Sequence, residues 1–208
     1  MINFIIILFI ITLIYLTKVE MVKSYVQLMA IQGILLFGLA YLELNEVKIV
    51  QLIFVLLETL VFKAIFVPIF LYRITKNQPR KSQHSPVSGY YSVFIAVVII
   101  IAGFISAQLM HEAVLDVKYF TAATSSILIG LFIAINNRDL VTHFVSYLVI
   151  ENGIFLLSLA LGSEMPMFVN TAILLDIFTS VLIMGIFFNR LKSHFQHTDI
   201  SQLSNLKD

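Results

Sequence analysis

Apolar stretches of about 20 residues, separated by short clusters of charge, run along most of this 208-residue chain. A helix needs about 20 predominantly apolar residues to cross the roughly 30 Å hydrocarbon core of a bilayer. That spacing restricts the chain to membrane-spanning helices. The composition agrees: 60% of residues are hydrophobic and 12% are charged, where a soluble domain carries roughly 25% charged residues. A soluble enzyme, a disordered chain and a disulfide-stapled secreted protein are excluded. With no cysteine in the chain, disulfides, Cys-held iron–sulfur clusters, Cys-bound zinc and cysteine catalysis are excluded too. A net charge of +1 gives no electrostatic footprint for nucleic acid.

Dividing the chain at its polar clusters gives an all-α, polytopic helix bundle of seven expected spans, near 2–16, 21–42, 47–72, 89–110, 119–135, 140–161 and 167–189. Numbering the two sides alternately puts Lys18, Lys23, Arg73, Lys76, Arg80, Lys81, Arg138, Arg190, Lys192 and Lys207 on one side. Only Lys48 and Lys118 fall on the other, among Glu43, Glu46, Glu112, Asp116 and Glu164. Lys and Arg concentrate in cytoplasmic loops, so the N-terminus is expected outside and the C-terminus in the cytoplasm. Tyrosines gather near the span ends, as an aromatic belt does. The first span lacks a basic region before it and is not expected to be a cleaved signal peptide.

The first three spans resemble the last three. Gly33-Ile34-Leu35-Leu36 aligns with Gly153-Ile154-Phe155-Leu156, and Leu57-Glu58 with Leu175-Asp176. The offset of about 120 residues spans four crossings, so the repeat is parallel. The expected organisation is a first three-helix unit at 1–76, a cytoplasmic linker and bridging helix at 77–118, a second three-helix unit at 119–192 and a cytoplasmic tail at 193–208.

Glu58, Lys63, Glu151 and Asp176 lie inside expected spans. Each costs at least about 2.5–3.5 kcal/mol at a helix centre on insertion scales, so such residues face a bundle interior or a hydrated cavity and mark proton or ion paths. The three carboxyls sit 9 to 11 residues into their spans, which places them at similar depth. Lys63 follows Glu58 by five residues, about 7.5 Å of helix. The alternative for these charges is a structural ion pair between Lys63 and a carboxylate on another helix. His143, Tyr147 and Glu151, spaced i, i+4 and i+8, line one face with modest drift. They are candidate proton-transfer groups running from the cytoplasmic end of the sixth span to its middle. Pro68 is expected to kink the third span just past Lys63. Asn152-Gly153 reads as a packing notch or a local loosening beside Glu151. No phosphate loop, haem-attachment motif, nucleophile elbow or metal-ligand cluster is present in the sequence, so no cofactor and no metal are expected.

The order and spacing of Phe62-Lys63, Val67-Pro68, Asn137-Arg138-Asp139-Leu140, Glu151-Asn152-Gly153 and Asp176, with a tail running from Thr198 through Ile200 and Leu203 to Lys207, resemble the hydrogenase-4 component E family. The last three spans also resemble the K subunit of respiratory complex I and the C subunit of multisubunit cation/proton antiporters. In the K subunit a membrane glutamate precedes the terminal arginine by 14 residues. Asp176 and Arg190 keep that spacing, so the resemblance gives Asp176 that role. The other K-subunit glutamate falls at Leu148, one helical turn before Glu151. The resemblance implies a non-catalytic membrane subunit, lodged in the cell (inner) membrane beside antiporter-like and other membrane-arm subunits. The assembly would couple a redox reaction to proton or sodium movement, with its redox cofactors in other chains. A subunit that only bridges its neighbours is one competing expectation; a stand-alone small-solute carrier is another, disfavoured because the spans show no pair of Gly/Pro-interrupted half-helices.

Overall fold

Long apolar runs can satisfy their backbone N–H and C=O groups without water only by winding into helices. The described residues are mostly helical, with no strand among them. The structure, a computed structural model, describes residues 1–19, 21–43, 53, 55–75, 87, 89–110, 116–137 and 140–161. The chain divides into two units, Met1–Ala172 and Ile173–Asp208, and the described residues all belong to the first. The expected seventh span, Asp176 within it, and the tail lie outside the described residues.

Helix α1 covers Ile2–Leu16 and α2 covers Val22–Glu43. A π-helical segment, Glu58–Phe66, runs directly into α3, Val67–Thr75. Helix α4 covers Gly89–Leu109, α5 Val117–Asn136 and α6 Leu140–Ala160. Among the described residues, four stretches are long and apolar enough to cross a membrane: Lys23–Glu43, Gly89–Leu109, Val117–Asn136 and Val141–Ala160. Helix α1 is shorter, at 15 residues.

Two ends differ from expectation by more than one residue: α3 runs on to Thr75, past the expected 72, and α5 begins early. Helix α5 starts at Val117, two residues before the expected 119, because the Asp116 carboxylate accepts from Lys118 N–H at 2.8 Å and so caps the first turn. It stops after Asn136, where Asn137 turns extended (φ −128°, ψ 150°) and its side chain donates to Ile133 O at 2.9 Å. The third span is not one regular α-helix. Pro68 has no N–H to give, and its ring crowds the carbonyl four residues back. The segment leading up to it is wound wider, and regular α geometry resumes at Val67.

Contacts between helix ends set the directions of the helices. At one end, Tyr119 OH donates to Glu43 Oε2 at 3.0 Å and Asp116 N–H donates to Ala160 O at 3.1 Å. The ends of α2 and α6 thus meet the start of α5. At the other end, Val87 N–H donates to Asn136 Oδ1 at 3.2 Å, and Lys18 lies over the Tyr90 ring at 6.0 Å. The ends of α1 and α5 thus meet the start of α4. Helices α2, α4 and α6 therefore run one way, and α1 and α5 the other.

Helix α6 is largely buried, whereas α4 buries only Ser92, Ala96, Gly103 and Ala107 and exposes a broad apolar face. Small residues let α5 and α6 approach closely, as they do between helices in membranes. A Cβ at Gly153 would stand 2.9 Å from Ala123 O and 2.7 Å from Ile127 Cγ1, so Asn152-Gly153 includes a packing notch. Beside it, Ser126 Oγ donates to Val149 O at 2.7 Å across the same pair. Overfilling a packed site costs about 1–3 kcal/mol. Gly153→Val is therefore expected to lower stability by that amount in detergent-based unfolding titrations. Gly38→Ala, whose Cβ would meet only Ile5 Cδ1 at 3.6 Å, is expected to hold or slightly raise stability.

Candidate functional site

Helix α6 carries Glu151 near its middle, and the π-helical segment carries Lys63. The structure brings these two together. Lys63 Nζ stands 3.8 Å from Glu151 Oε1, with the side chains 7% and 5% exposed. At that distance the groups attract as charges but do not share a direct hydrogen bond, which requires roughly 2.7–3.2 Å. The Phe155 ring, one turn beyond Glu151, places its centroid 5.0 Å from the same ammonium and adds a cation–π contact.

Magnitudes indicate what such a pair does for the fold. Two unit charges about 4 Å apart attract by about 4 kcal/mol at an effective dielectric constant near 20. The aromatic contact adds up to about 2 kcal/mol when desolvated. Placing two charges at helix centres costs about 5–7 kcal/mol together on insertion scales. The terms nearly cancel, so the pair contributes little net stability while it stays intact. Breaking it is another matter, because the buried charge that remains loses the opposite charge beside it.

A second group of polar side chains crosses three helices beside the pair. Asn152 Nδ2 on α6 donates to Gln32 Oε1 on α2 at 3.1 Å. Gln32 Nε2 donates to Thr12 Oγ1 on α1 at 3.0 Å, and Thr12 Oγ1 donates to Phe9 O at 2.6 Å. All three side chains are buried. Gln32 and Asn152 are 120 residues apart and are the positions that the repeat aligns, each directly before its glycine.

The sequence-derived candidates fall into three groups. Lys63 and Glu151 meet. His143, Tyr147 and Glu151 share α6 and pass from exposed through half-buried to buried, so this stripe leads from the bundle surface to the ion pair. Glu58 opens the π-helical segment and is described by its backbone alone, and Asp176 lies outside the described residues. Ser158, on the side of the stripe, donates to Phe155 O at 2.7 Å and serves its own helix. Gln32 was not singled out from the sequence, because a neutral amide in an apolar run stands out less than a charge. Its place one residue before Gly33, matching Asn152 before Gly153, was the signal available. Among the described residues no cluster of His, Asp and Glu could hold a metal ion.

The fold and these buried charges define a class, an α-helical protein with helices suited to crossing a membrane and a polar centre within the bundle. Among known proteins, the chain is similar to the uncharacterised protein Rv0085 of Mycobacterium tuberculosis (strain ATCC 25618 / H37Rv), 24% identical over 190 residues that cover 89% of this chain and 86% of the relative. No protein-family profile matches the chain, and no solved structure does.

Removing one partner of a buried ion pair costs about 3–5 kcal/mol, whereas replacing both by apolar groups of similar size is often close to neutral. Lys63→Met and Glu151→Leu are each expected to lose stability. The double variant is expected to recover most of that loss in a double-mutant cycle read by unfolding of the detergent-solubilised protein.

Proposed function

We propose that this chain is a multi-pass subunit of the cell (inner) membrane in a complex-I-like or group 4 hydrogenase-like assembly. In this reading it contributes midplane carboxylates to a proton or sodium path coupled to a redox or antiporter partner. The observation that carries the proposal is the Lys63–Glu151 pair, two charges buried at mid-helix, where charge is costly and marks proton or ion paths. The resemblance to hydrogenase-4 component E, which runs through Lys63, Glu151 and Asp176, supports the same reading. So does the graded stripe from His143 through Tyr147 to Glu151. Imidazole, phenol and carboxyl can each take up and release a proton, and Glu151, Asp176 and Glu58 serve as its acidic stations. Large antiporter-like subunits are the expected neighbours. The seven-span arrangement, with the N-terminus outside, is part of the proposal, and the alternating directions of α1, α2, α4, α5 and α6 support it.

One observation favours the second reading, a scaffold that only bridges its neighbours. A carboxylate held permanently beside an ammonium is structural, whereas a relay needs one that changes its charge. The two readings separate in the assembled complex. Glu151→Gln is expected to reduce substrate-driven ion movement under both, by disturbing either the path or the fold. The double variant Lys63→Met with Glu151→Gln removes both charges of the pair together. The relay predicts that ion movement per assembled complex stays at least about tenfold down. Recovery to the parental rate would establish the scaffold instead.

Orientation has its own check. Reporter fusions after Ser82 and after Lys192 are both expected to read cytoplasmic, and a periplasmic signal at either would contradict the seven-span arrangement.

A further inference from the structure

The two halves of the ion pair sit on different helices, and the same helix, α2, touches both. Its contacts fall on adjacent residues. Gln32 binds Asn152, the residue after Glu151, at 3.1 Å. Gly33 lies against the backbone of the other partner: a Cβ there would stand 2.6 Å from Ala64 N and 2.7 Å from Lys63 C. Those neighbours are main-chain atoms, which cannot swing aside as a flexible side chain can. Only a residue without a Cβ lets the π-helical segment come this near to α2.

From this we infer that Gln32-Gly33 is a two-sided ruler that sets the separation of Lys63 and Glu151. The inference deepens the proposed function, because it assigns positioning residues to the same charge pair. Gln32 fixes α6 on one side, at the residue bonded to Glu151. Gly33 fixes the π-helical segment on the other side, at Lys63 itself. Thr12 holds the Gln32 amide from behind through the 3.0 Å bond to its Nε2, so the carbonyl oxygen of that amide is presented to Asn152. An amide satisfied at both ends in a low-dielectric interior has little freedom to turn. The 3.8 Å separation is then a property of α2 as well as of the two charges. Electrostatic energy varies inversely with distance, and a relay carboxyl must be able to change its charge in use. A helix that holds the pair just beyond direct hydrogen-bonding distance keeps the carboxyl coupled to the ammonium without locking it there.

The test titrates the Glu151 carboxyl by infrared spectroscopy in the full chain reconstituted in bilayers, with Glu151→Gln identifying the band. Lys63→Met provides the reference for a pair fully undone. Gln32→Leu and Gly33→Ala are each expected to move the Glu151 midpoint more than half-way from its parental value to its value in Lys63→Met. The exchange of Gln32→Asn with Asn152→Gln rebuilds a tie of the same summed length and is expected to return the midpoint close to the parental one. Gly38→Ala, elsewhere on α2, is expected to leave it in place. A parental midpoint in folded Gln32→Leu overturns the ruler. Failure of the exchange to restore the midpoint overturns it too, since packing alone would then account for the loss. If Gly33→Ala does not fold, Gln32→Leu and the exchange decide the matter. Ion movement by the complex is read on the same variants. A shifted midpoint with unaltered ion movement leaves the ruler standing and removes the proton-path reading.

Discussion

A charged ammonium and a carboxylate held 3.8 Å apart inside a helix bundle impose conditions on everything around them. Neither charge can face acyl chains without a large penalty, so the helices that carry them must face inward. Helix α6, which carries Glu151, is accordingly buried over most of its length. Helix α4, which carries no charge between Gly89 and Leu109, can remain at the edge with its apolar side exposed. Small residues then let the inner helices close around the pair. Gly153 and Ser126 join α5 to α6, and Gly33 joins α2 to the segment that carries Lys63.

The same pair connects local backbone chemistry to the proposed function. Pro68 removes one hydrogen-bond donor from its helix, and the segment before it widens into π winding that includes Lys63. Wide turns of this kind occur mostly as short insertions in helices, frequently at functional sites. Here the distortion, the buried cation and the backbone contact with Gly33 fall within the same few residues. The amide chain of Asn152, Gln32 and Thr12 fastens the opposite side. The polar centre is thus held by backbone contact on one flank and by side-chain hydrogen bonds on the other.

Much of the fold was legible in the sequence because it is governed by length. A helix must be about as long as the bilayer core is thick, and polar clusters mark where it can end. Helices α1, α2, α4 and α6 begin and end within a residue or so of the positions read from those clusters. What was not legible depends on three-dimensional partnership. The sequence places Lys63 near several carboxylates but does not choose among them, and the structure brings it to Glu151. The two-residue extension at the start of α5 follows from the side-chain cap at Asp116, and the π winding follows from a proline whose effect on its neighbours depends on packing. Gln32 carries no charge to mark it, although its site in the repeat matches that of Asn152. The stripe on α6 was legible as a set of positions. Its passage from exposed His143 to buried Glu151 follows from how that helix is seated among the others.

The central claim is that Glu151 changes its protonation state when the assembly works. Infrared difference spectroscopy of the intact complex, recorded between rest and substrate-driven turnover, reads that change directly. The account predicts a carboxylic-acid band in the difference spectrum that is missing in Glu151→Gln and altered in Lys63→Met. A difference spectrum in which Glu151→Gln removes no carboxyl band, at full turnover, would contradict it.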